Sequence, residues 1–436
     1  VLEEVIVTAT NYRESLRSSI ATKENASQIV DAISAEDMGR FPAQNLAEAM
    51  QGITGVTMTR DDGAGEFISI RGMAPELTRV EINGRTVSLT AGSANPENAT
   101  TLSFFSPDMF NKVTVIKSPR AIDIEGGVGG TVKLETLRPL DVGKNMTRIA
   151  GSWEDNSVKL DDKWTVGVFT NILFGDSLGL TLGANYTDAD RRTDQSESLD
   201  GWSLVDDDDP SSGYYPERVR LQQRVGEQPR FNINGTLQWQ ASESFEMWAD
   251  LLYAKEDRDD VQQRFEVEYD RGDFLQGGMD GNGKLTWAYF EDNRLTLNFL
   301  DRRRDIEQSG ASIGGEWFNE TWSITGKADY SEREEDSFDA RARVRENRID
   351  VGYDARNLTF ITPIEVPGSD DLDPFLYGDP DFPDYNRVDY NLRTISTEEV
   401  AGMLDFTRTL GDGWFSQLYF GTRLASKETS RAQARN

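Results

Sequence analysis

Four aromatic residues, Phe375, Tyr377, Phe382 and Tyr385, stand among Pro, Gly and Asp between positions 370 and 385. Aromatic faces beside carboxylates suit sugars, whose apolar ring faces stack while their hydroxyls donate to acids. The competing reading is local packing that stiffens a long loop. Acids cluster again at Asp206, Asp207, Asp208 and Asp209. Calcium takes clustered carboxylates, yet no twelve-residue EF-hand spacing occurs, so both segments read by default as solvated, charged loops. A different chemistry is available to Glu4, Val5, Ile6, Val7, Thr8 and Ala9. A short β-branched stretch of this kind can add to another protein's sheet edge through its main chain, or pair as an ordinary strand within its own domain.

The residues that are missing narrow the chemistry further. The 436 residues include no His and no Cys. Ser/His/Asp and Cys/His catalysis, thiolate zinc sites and disulfides are therefore excluded, and no cofactor is implied. Acids are too frequent for any carboxylate pair to single out a glycosidase. Lys and Arg total 46 against 76 Asp and Glu, a formal charge of −30. Such a chain has no cationic excess to neutralise phosphates, so nucleic acid is not an expected partner. Gly126–Gly130 lacks the Lys-Ser/Thr of a phosphate loop and leads into a strand, so it reads as a tight turn. The opening Val1-Leu2-Glu3-Glu4 has no basic n-region, as in a mature or trimmed chain.

The elements that must position these residues change character near 138–144. Before it, short helices and strands alternate. Ser34 with Asp37 resembles a capping box, and Leu46, Ala49, Met50 and Ile53 form an apolar stripe at helical spacing. Strands are expected at 67–71, 80–82, 85–87, 113–117 and 131–136, with Asn83-Gly84 as a tight turn. Ser106-Pro107 is expected to start a short helix. After the change, Leu178, Leu180, Leu182, Ala184 and Tyr186 alternate with Gly179, Thr181, Gly183, Asn185 and Thr187. Phe231, Ile233, Leu237 and Trp239 repeat the pattern, as do Trp322, Ile324, Ala328 and Tyr330, and then Trp414, Leu418, Phe420 and Leu424. Tight connections at 175–177, 241–244, 319–320 and 411–413 take turns with long, acidic segments around 188–228, 257–305 and 334–396. Short turns on one side and long loops on the other favour a transmembrane β-barrel over a soluble β-sandwich. No apolar run reaches 18 residues, but barrel strands need only one apolar face.

A family resemblance enters through the first 140 residues. Glu3-Glu4-Val5-Ile6-Val7-Thr8-Ala9 looks like the TonB box of TonB-dependent transporters. Leu46-Ala47-Glu48-Ala49-Met50 through Gly55-Val56 is similar to the helix and following turn of that family's plug. Ile68-Ser69-Ile70-Arg71-Gly72 resembles its IRG strand, and Val80-Glu81-Ile82-Asn83-Gly84-Arg85 its hairpin. The run from Phe110 to Pro119 and Gly129-Gly130-Thr131-Val132 resemble two later plug strands, with Lys117-Ser118-Pro119 departing from the usual Arg-Gly-Pro. Lys keeps the charge but loses the bidentate fork. The wording of Asp123 to Asp141 is similar to the Xanthomonas/Caulobacter-type branch, in which carbohydrate uptake recurs.

The resemblance implies an α+β plug domain inside an antiparallel transmembrane β-barrel. Whole barrels of the family have about 22 strands, of which about nine are readable here, so a fragment is expected. The implied division is a TonB box and lead at 1–25, the plug at 26–140 and the first barrel strands at 144–436. The implied function is energised import of a large nutrient, most simply an oligosaccharide, across the outer membrane of a Gram-negative bacterium. Siderophore or cobalamin uptake competes within the family, and a secreted, acidic polysaccharide-binding protein competes from outside it. Enzyme activity is not implied. The implied partners are outer-membrane lipid, the nutrient, and TonB with its inner-membrane energising complex, TonB gripping Glu4, Val5, Ile6, Val7, Thr8 and Ala9. Arg71 and Lys117 would lock plug to barrel by pairing with barrel carboxylates. Ligand would meet Asp61, Asp62, Glu66 and Glu76 on the plug, and Phe375, Tyr377, Phe382 and Tyr385 on a loop.

Overall fold

The computed structural model describes residues 20–24, 26–34, 45–61, 64–87, 99–103, 105–155, 163–356, 362–368, 387–411 and 415–436. Residues 4–9, Asp62 and the four aromatics of 375–385 lie outside them.

The N-terminal unit contains β1 (Val30–Ser34), α1 (Leu46–Ala49), β2 (Val56–Asp61), β3 (Ala64–Ile70), β4 (Thr78–Ile82), β5 (Arg85–Thr86), β6 (Lys112–Ile116) and β7 (Gly130–Glu135). Ser34 closes β1, and Asp37, its expected capping-box partner, lies outside the described residues. The stripe read at 46–53 is real: Leu46, Ala49, Met50 and Ile53 are all buried, across α1 and a 3₁₀ turn at Met50–Gly52. Asn45 begins that helix, its side chain accepting from the Glu48 amide at 3.1 Å and donating to the Gly65 carbonyl at 2.8 Å. The sheet runs β1-β6-β7-β4-β5, with β4 and β7 parallel, while β2 and β3 form a separate hairpin. Val80, Ile82, Val113, Val115, Val132 and Leu134 fill the core at strand period. The intervening Glu81 and Thr114 are buried as well and Lys133 is half-buried, so the sheet is covered on both faces.

A helical turn, α2 (Pro139–Val142), leads into β8 (Met146–Glu154), β9 (Lys163–Phe174), β10 (Leu178–Asp188), β11 (Asp190–Leu204), β12 (Tyr214–Glu227), β13 (Arg230–Ser242) and β14 (Phe245–Glu268). After these come β15 (Asp273–Met279), β16 (Leu285–Phe318), β17 (Trp322–Asp354), β18 (Thr362–Glu365), β19 (Arg387–Thr409) and β20 (Gln417–Arg435). Nine of them, β8, β9, β10, β13, β14, β16, β17, β19 and β20, are successive antiparallel neighbours. Among the described residues the order begins at β8 and ends at β20 without closure, so this is part of a barrel.

Burial in this sheet is inverted relative to a water-soluble fold. Leu182, Ile233, Leu237, Leu251 and Ile313 are exposed, whereas Asn171, Thr181, Asn232, Thr236, Gln262 and Gln308 are buried. The apolar face is bounded by aromatics at both ends. Tyr186 opposes Phe231, Ile233 opposes Tyr253, and Tyr330 opposes Val400, making one row. Trp239, Trp317, Phe406 and Phe420 lie toward the short turns, the last two stacked 4.9 Å apart. From Phe231 to Trp239 is about 27 Å of strand, close to the height of a barrel's apolar band. Leu251 lies between the rows and is 66% exposed. Leu251→Arg should therefore cost about 2–4 kcal/mol of folding stability in lipid, read from urea titration of the receptor in vesicles, whereas Glu334→Arg beyond the band should cost almost nothing.

The segments read as long loops are largely strand. β14, β16 and β17 have 24, 34 and 33 residues, far more than the 9–11 that cross a bilayer. On the outer face of β17 the side chains change from Ala328 and Tyr330 to Glu332, Glu334 and Asp336, marking where lipid gives way to water. Beyond that line, charged side chains pair across strands: Arg220 with Glu197 and Glu266, Arg302 with Asp339, Arg294 with Glu268. A second core of Val219, Tyr269, Phe290, Ile349 and Tyr353 holds the extensions together. The Tyr269 hydroxyl donates to the Gly352 carbonyl at 2.9 Å.

Candidate functional site

β4 and β5 are joined by Asn83-Gly84, both with positive φ (49° and 70°), the geometry of a tight hairpin turn. The turn carries Asn83 and Arg85 against the polar face of the large sheet. There Asp250 on β14 opposes Ser312 on β16, which opposes Asp329 on β17, midway between the aromatic rows. Asn83 is a hub. Its amide nitrogen donates to Thr136 Oγ1 at 2.9 Å and to Asp250 Oδ1 at 3.2 Å, its carbonyl accepts from Lys327 Nζ at 2.8 Å, and its side-chain oxygen accepts from the Thr136 amide. Asp250 also accepts from the Thr236 hydroxyl at 2.8 Å and the Ser312 hydroxyl at 3.1 Å.

The Arg85 side chain enters the same space. Its guanidinium lies over Gly310, where a Cβ would come within 2.6 Å of Cζ, so only glycine leaves room for it. Arg85 is 3% exposed. Burial pushes its guanidinium down from its ordinary value, while the charges of Asp250 and Asp329 push it up. Arginine keeps its proton under such pressure. The seam continues in both directions. Arg138 Nη1 donates to Glu246 at 2.8 Å with its guanidinium 4.6 Å from the Trp248 ring centre, and Arg230 Nη1 donates to the Ser103 carbonyl at 2.7 Å. The N-terminal unit is thus held to the strands by hydrogen bonds and charges, with Leu252 and Ala254 of β14 adding apolar contact to its core.

Residues 22–131 match the TonB-dependent Receptor Plug Domain family. The N-terminal unit is thus a TonB-dependent receptor plug domain. The large sheet belongs to the receptor's barrel, and the receptor's place is the outer membrane of a Gram-negative bacterium. The ferric enterobactin receptor PirA of Pseudomonas aeruginosa is 29% identical over 178 residues, 36% of this chain and 20% of that protein. The solved copper transporter OprC is 13% identical, with a TM-score of 0.40 over 93% of this chain and 60% of its own. The ferric enterobactin receptor PfeA of P. aeruginosa is 11% identical, with a TM-score of 0.41 over 88% of this chain and 72% of its own. The receptor chain described here thus spans a part of the length of these relatives. They are receptors and transporters, not enzymes.

Arg71 and Lys117, the expected lock residues, make their described contacts within the plug. Arg71 (φ 56°) turns its exposed side chain along the plug, Nη1 donating to the Lys117 carbonyl at 3.0 Å. Lys117 Nζ pairs with Asp31 and reaches the Thr54 carbonyl. Both make these contacts inside the plug because Lys117 follows β6, whose neighbour β1 presents Asp31 across the ladder. Among the described residues, Arg138 pairs directly with the barrel's Glu246, and Arg85 is the buried plug cation on which the charges of Asp250 and Asp329 act. The sequence contained a signal for it, since Arg85 directly follows the Asn83-Gly84 turn. The plug acids expected to meet ligand do not gather. Glu66 is buried near the start of β3, Glu76 is exposed in the turn before β4 beyond the other end of β3, and Asp61 ends β2.

Asp31 makes the tether of β1 sensitive to acid. Burial pushes its carboxyl up, but hydrogen bonds and charge from Lys117 and Lys23 prevail and hold it below its ordinary value of 3.8. A depressed carboxyl adds stability that is present above its unfolded value and is lost as pH falls through its folded value. Amide exchange in β1 should therefore be flat above pH 5, after correction for intrinsic rates, and accelerate below about pH 4. Asp31→Asn should remove that step.

Proposed function

We propose that the receptor imports a large nutrient, most simply an oligosaccharide, across the outer membrane, drawing energy from TonB through residues 4–9. The observation that carries the reading is the polar seam between plug and barrel. A plug welded by apolar packing would leave bare hydrocarbon surface if it shifted. Hydrogen bonds and charges such as those of Asn83 and Arg85 can be exchanged for water when a pull parts them. The seam is therefore firm at rest and separable under force. Arg71 and Lys117, with Asp31, tie β1 to β6, on the path by which tension from the N-terminus would reach the rest of the plug. They remain the proposed plug–barrel lock, beside Arg85 and Arg138.

The oligosaccharide reading rests on the resemblance of 123–141 to the carbohydrate branch and on the aromatics and acids of 370–385, with Asp61, Asp62, Glu66 and Glu76 as further contacts. Relatives named for ferric enterobactin supply the competing cargo. Uptake by cells expressing the complete receptor, measured across a panel of neutral and acidic oligosaccharides and ferric chelates, tests the choice. Accumulation of an oligosaccharide is expected. Tight binding of a ferric siderophore with no sugar affinity would overturn it.

A further inference from the structure

The plug is fastened to β13 at two heights, with a cavity between them. At the upper end Arg230 Nη1 donates to the Ser103 carbonyl. Lower down, Thr236 Oγ1 lies 3.4 Å from Thr136 Oγ1, and Gln238 Oε1 accepts from the Leu140 amide at 2.9 Å. The cavity measures about 190 Å³, and its lining includes Phe110 of the plug and Gly167, Phe169, Gly183, Asn185 and Asn234 of the barrel. Two rows of inner-face residues cross this wall. Asn232, Asn185 and Gly167 stand abreast in the upper row, and Asn234, Gly183 and Phe169 in the lower. The glycines make the recess. A Cβ on Gly167 would lie 3.2 Å from Asn185 Nδ2, and one on Gly183 would lie 2.6 Å from Asn234 Oδ1, so each amide leans over a residue without a side chain.

Asn185 and Asn232 are 5% and 1% exposed, yet Asn185 Nδ2 and Asn232 Oδ1 have no hydrogen-bond partner among the described residues. A shielded donor beside a shielded acceptor is costly until something answers both. Two neighbouring hydroxyls of a sugar ring do so, one accepting from Nδ2 while the other donates to Oδ1. Phe169, one row below, offers an aromatic face to the ring's C–H side. The volume is that of roughly six waters at about 30 Å³ each, comparable with the bulk of one pyranose ring. Both rows are uncharged, whereas Asp250 and Lys327 meet the plug farther along the wall. The recess therefore suits a neutral ligand.

We propose that Asn185, Asn232 and Phe169 form a subsite inside the barrel for one neutral sugar ring, beside the plug and below the external mouth. This rests on the import reading above and places a station on the cargo's route. The test uses the complete receptor in detergent with Asn234→Cys as its only thiol, the 436-residue sequence having none of its own. A small methanethiosulfonate should modify that thiol. D-glucose at about 100 mM should slow the reaction at least about threefold, because a few hydrogen bonds give a millimolar site that such a concentration fills. Betaine at the same concentration should not slow it. Adding Asn185→Leu should abolish the protection and leave the rate without glucose unchanged, which a damaged fold would not do. A thiol that glucose leaves unprotected, or that betaine protects equally, would overturn the subsite and leave oligosaccharide import standing. A thiol that the reagent never reaches would overturn it as well, since the cavity would then be closed to solutes. Import itself is read separately, and fails if cells expressing the complete receptor accumulate no oligosaccharide.

Discussion

Arg85→Met is expected to unseat the β4–β5 hairpin from the barrel wall while the plug core stays folded. The substitution keeps the length of the side chain and removes the cation that Asp250 and Asp329 face. Asp250 retains its bonds from Asn83, Thr236 and Ser312, and Lys327 remains near Asp329, so the carboxylates are not wholly abandoned. Arg85 and the two acids attract at a distance without a direct ion pair among the described residues, so the loss falls below the about 3–5 kcal/mol of a broken buried pair. A loss of about 1.4 kcal/mol speeds opening of the seam roughly tenfold. Hydrogen exchange at the amides of Asn83 to Val87 reads that opening directly. The plug core at Val113, Val115, Val132 and Leu134 shares none of these contacts and should exchange as before. Adding Asp250→Asn to Arg85→Met should cost much less than the sum of the single changes, because both act on one charge pair. Unchanged hairpin exchange in Arg85→Met would mean that Arg85 does not hold the plug.

Ile6→Pro is expected to abolish uptake and to leave surface binding of the ligand intact. In a docking strand Val5 and Val7 point to one side and Ile6 and Thr8 to the other, while the main chain supplies the pairing groups. Proline at position 6 deletes one donor, fixes φ and restricts the residue before it. Disruption of that kind costs roughly 3 kcal/mol in regular structure, about a hundredfold in affinity for a short docking segment. A contact through which force is applied must outlast the pull, so a loss of that size is enough to stop transport. Uptake and surface binding measured in the same cells decide the matter. Full uptake at normal receptor levels would remove residues 4–9 from the coupling role.

Sequence periodicity was a good guide wherever a single strand carries its own evidence. Leu178 to Tyr186 and Phe231 to Trp239 read as half-apolar strands because lipid on one side and a polar interior on the other impose a period of two. The same rule failed beyond the membrane edge, where both faces meet water or charge. There Arg220 is matched by Glu266, 46 residues away, and no local pattern announces such a pair. Charged stretches therefore read as loops although they continue β14, β16 and β17. The hairpin at Asn83-Gly84 was legible from turn chemistry, but its partner was not. Asn83 and Asp250 are 167 residues apart, and one acid among many has no mark of its own. Arg71 and Lys117 were chosen by position in a motif, and their described contacts, to each other and to Asp31, lie within the plug.

The central claim is that residues 4–9 are the handle by which TonB acts on this plug. The most direct measurement places a photoactivated cross-linking residue at position 7 of the complete receptor and irradiates intact cells. The account predicts a covalent adduct with TonB that Ile6→Pro in the same chain suppresses. Adducts formed only within the receptor itself, with none to TonB, would contradict it.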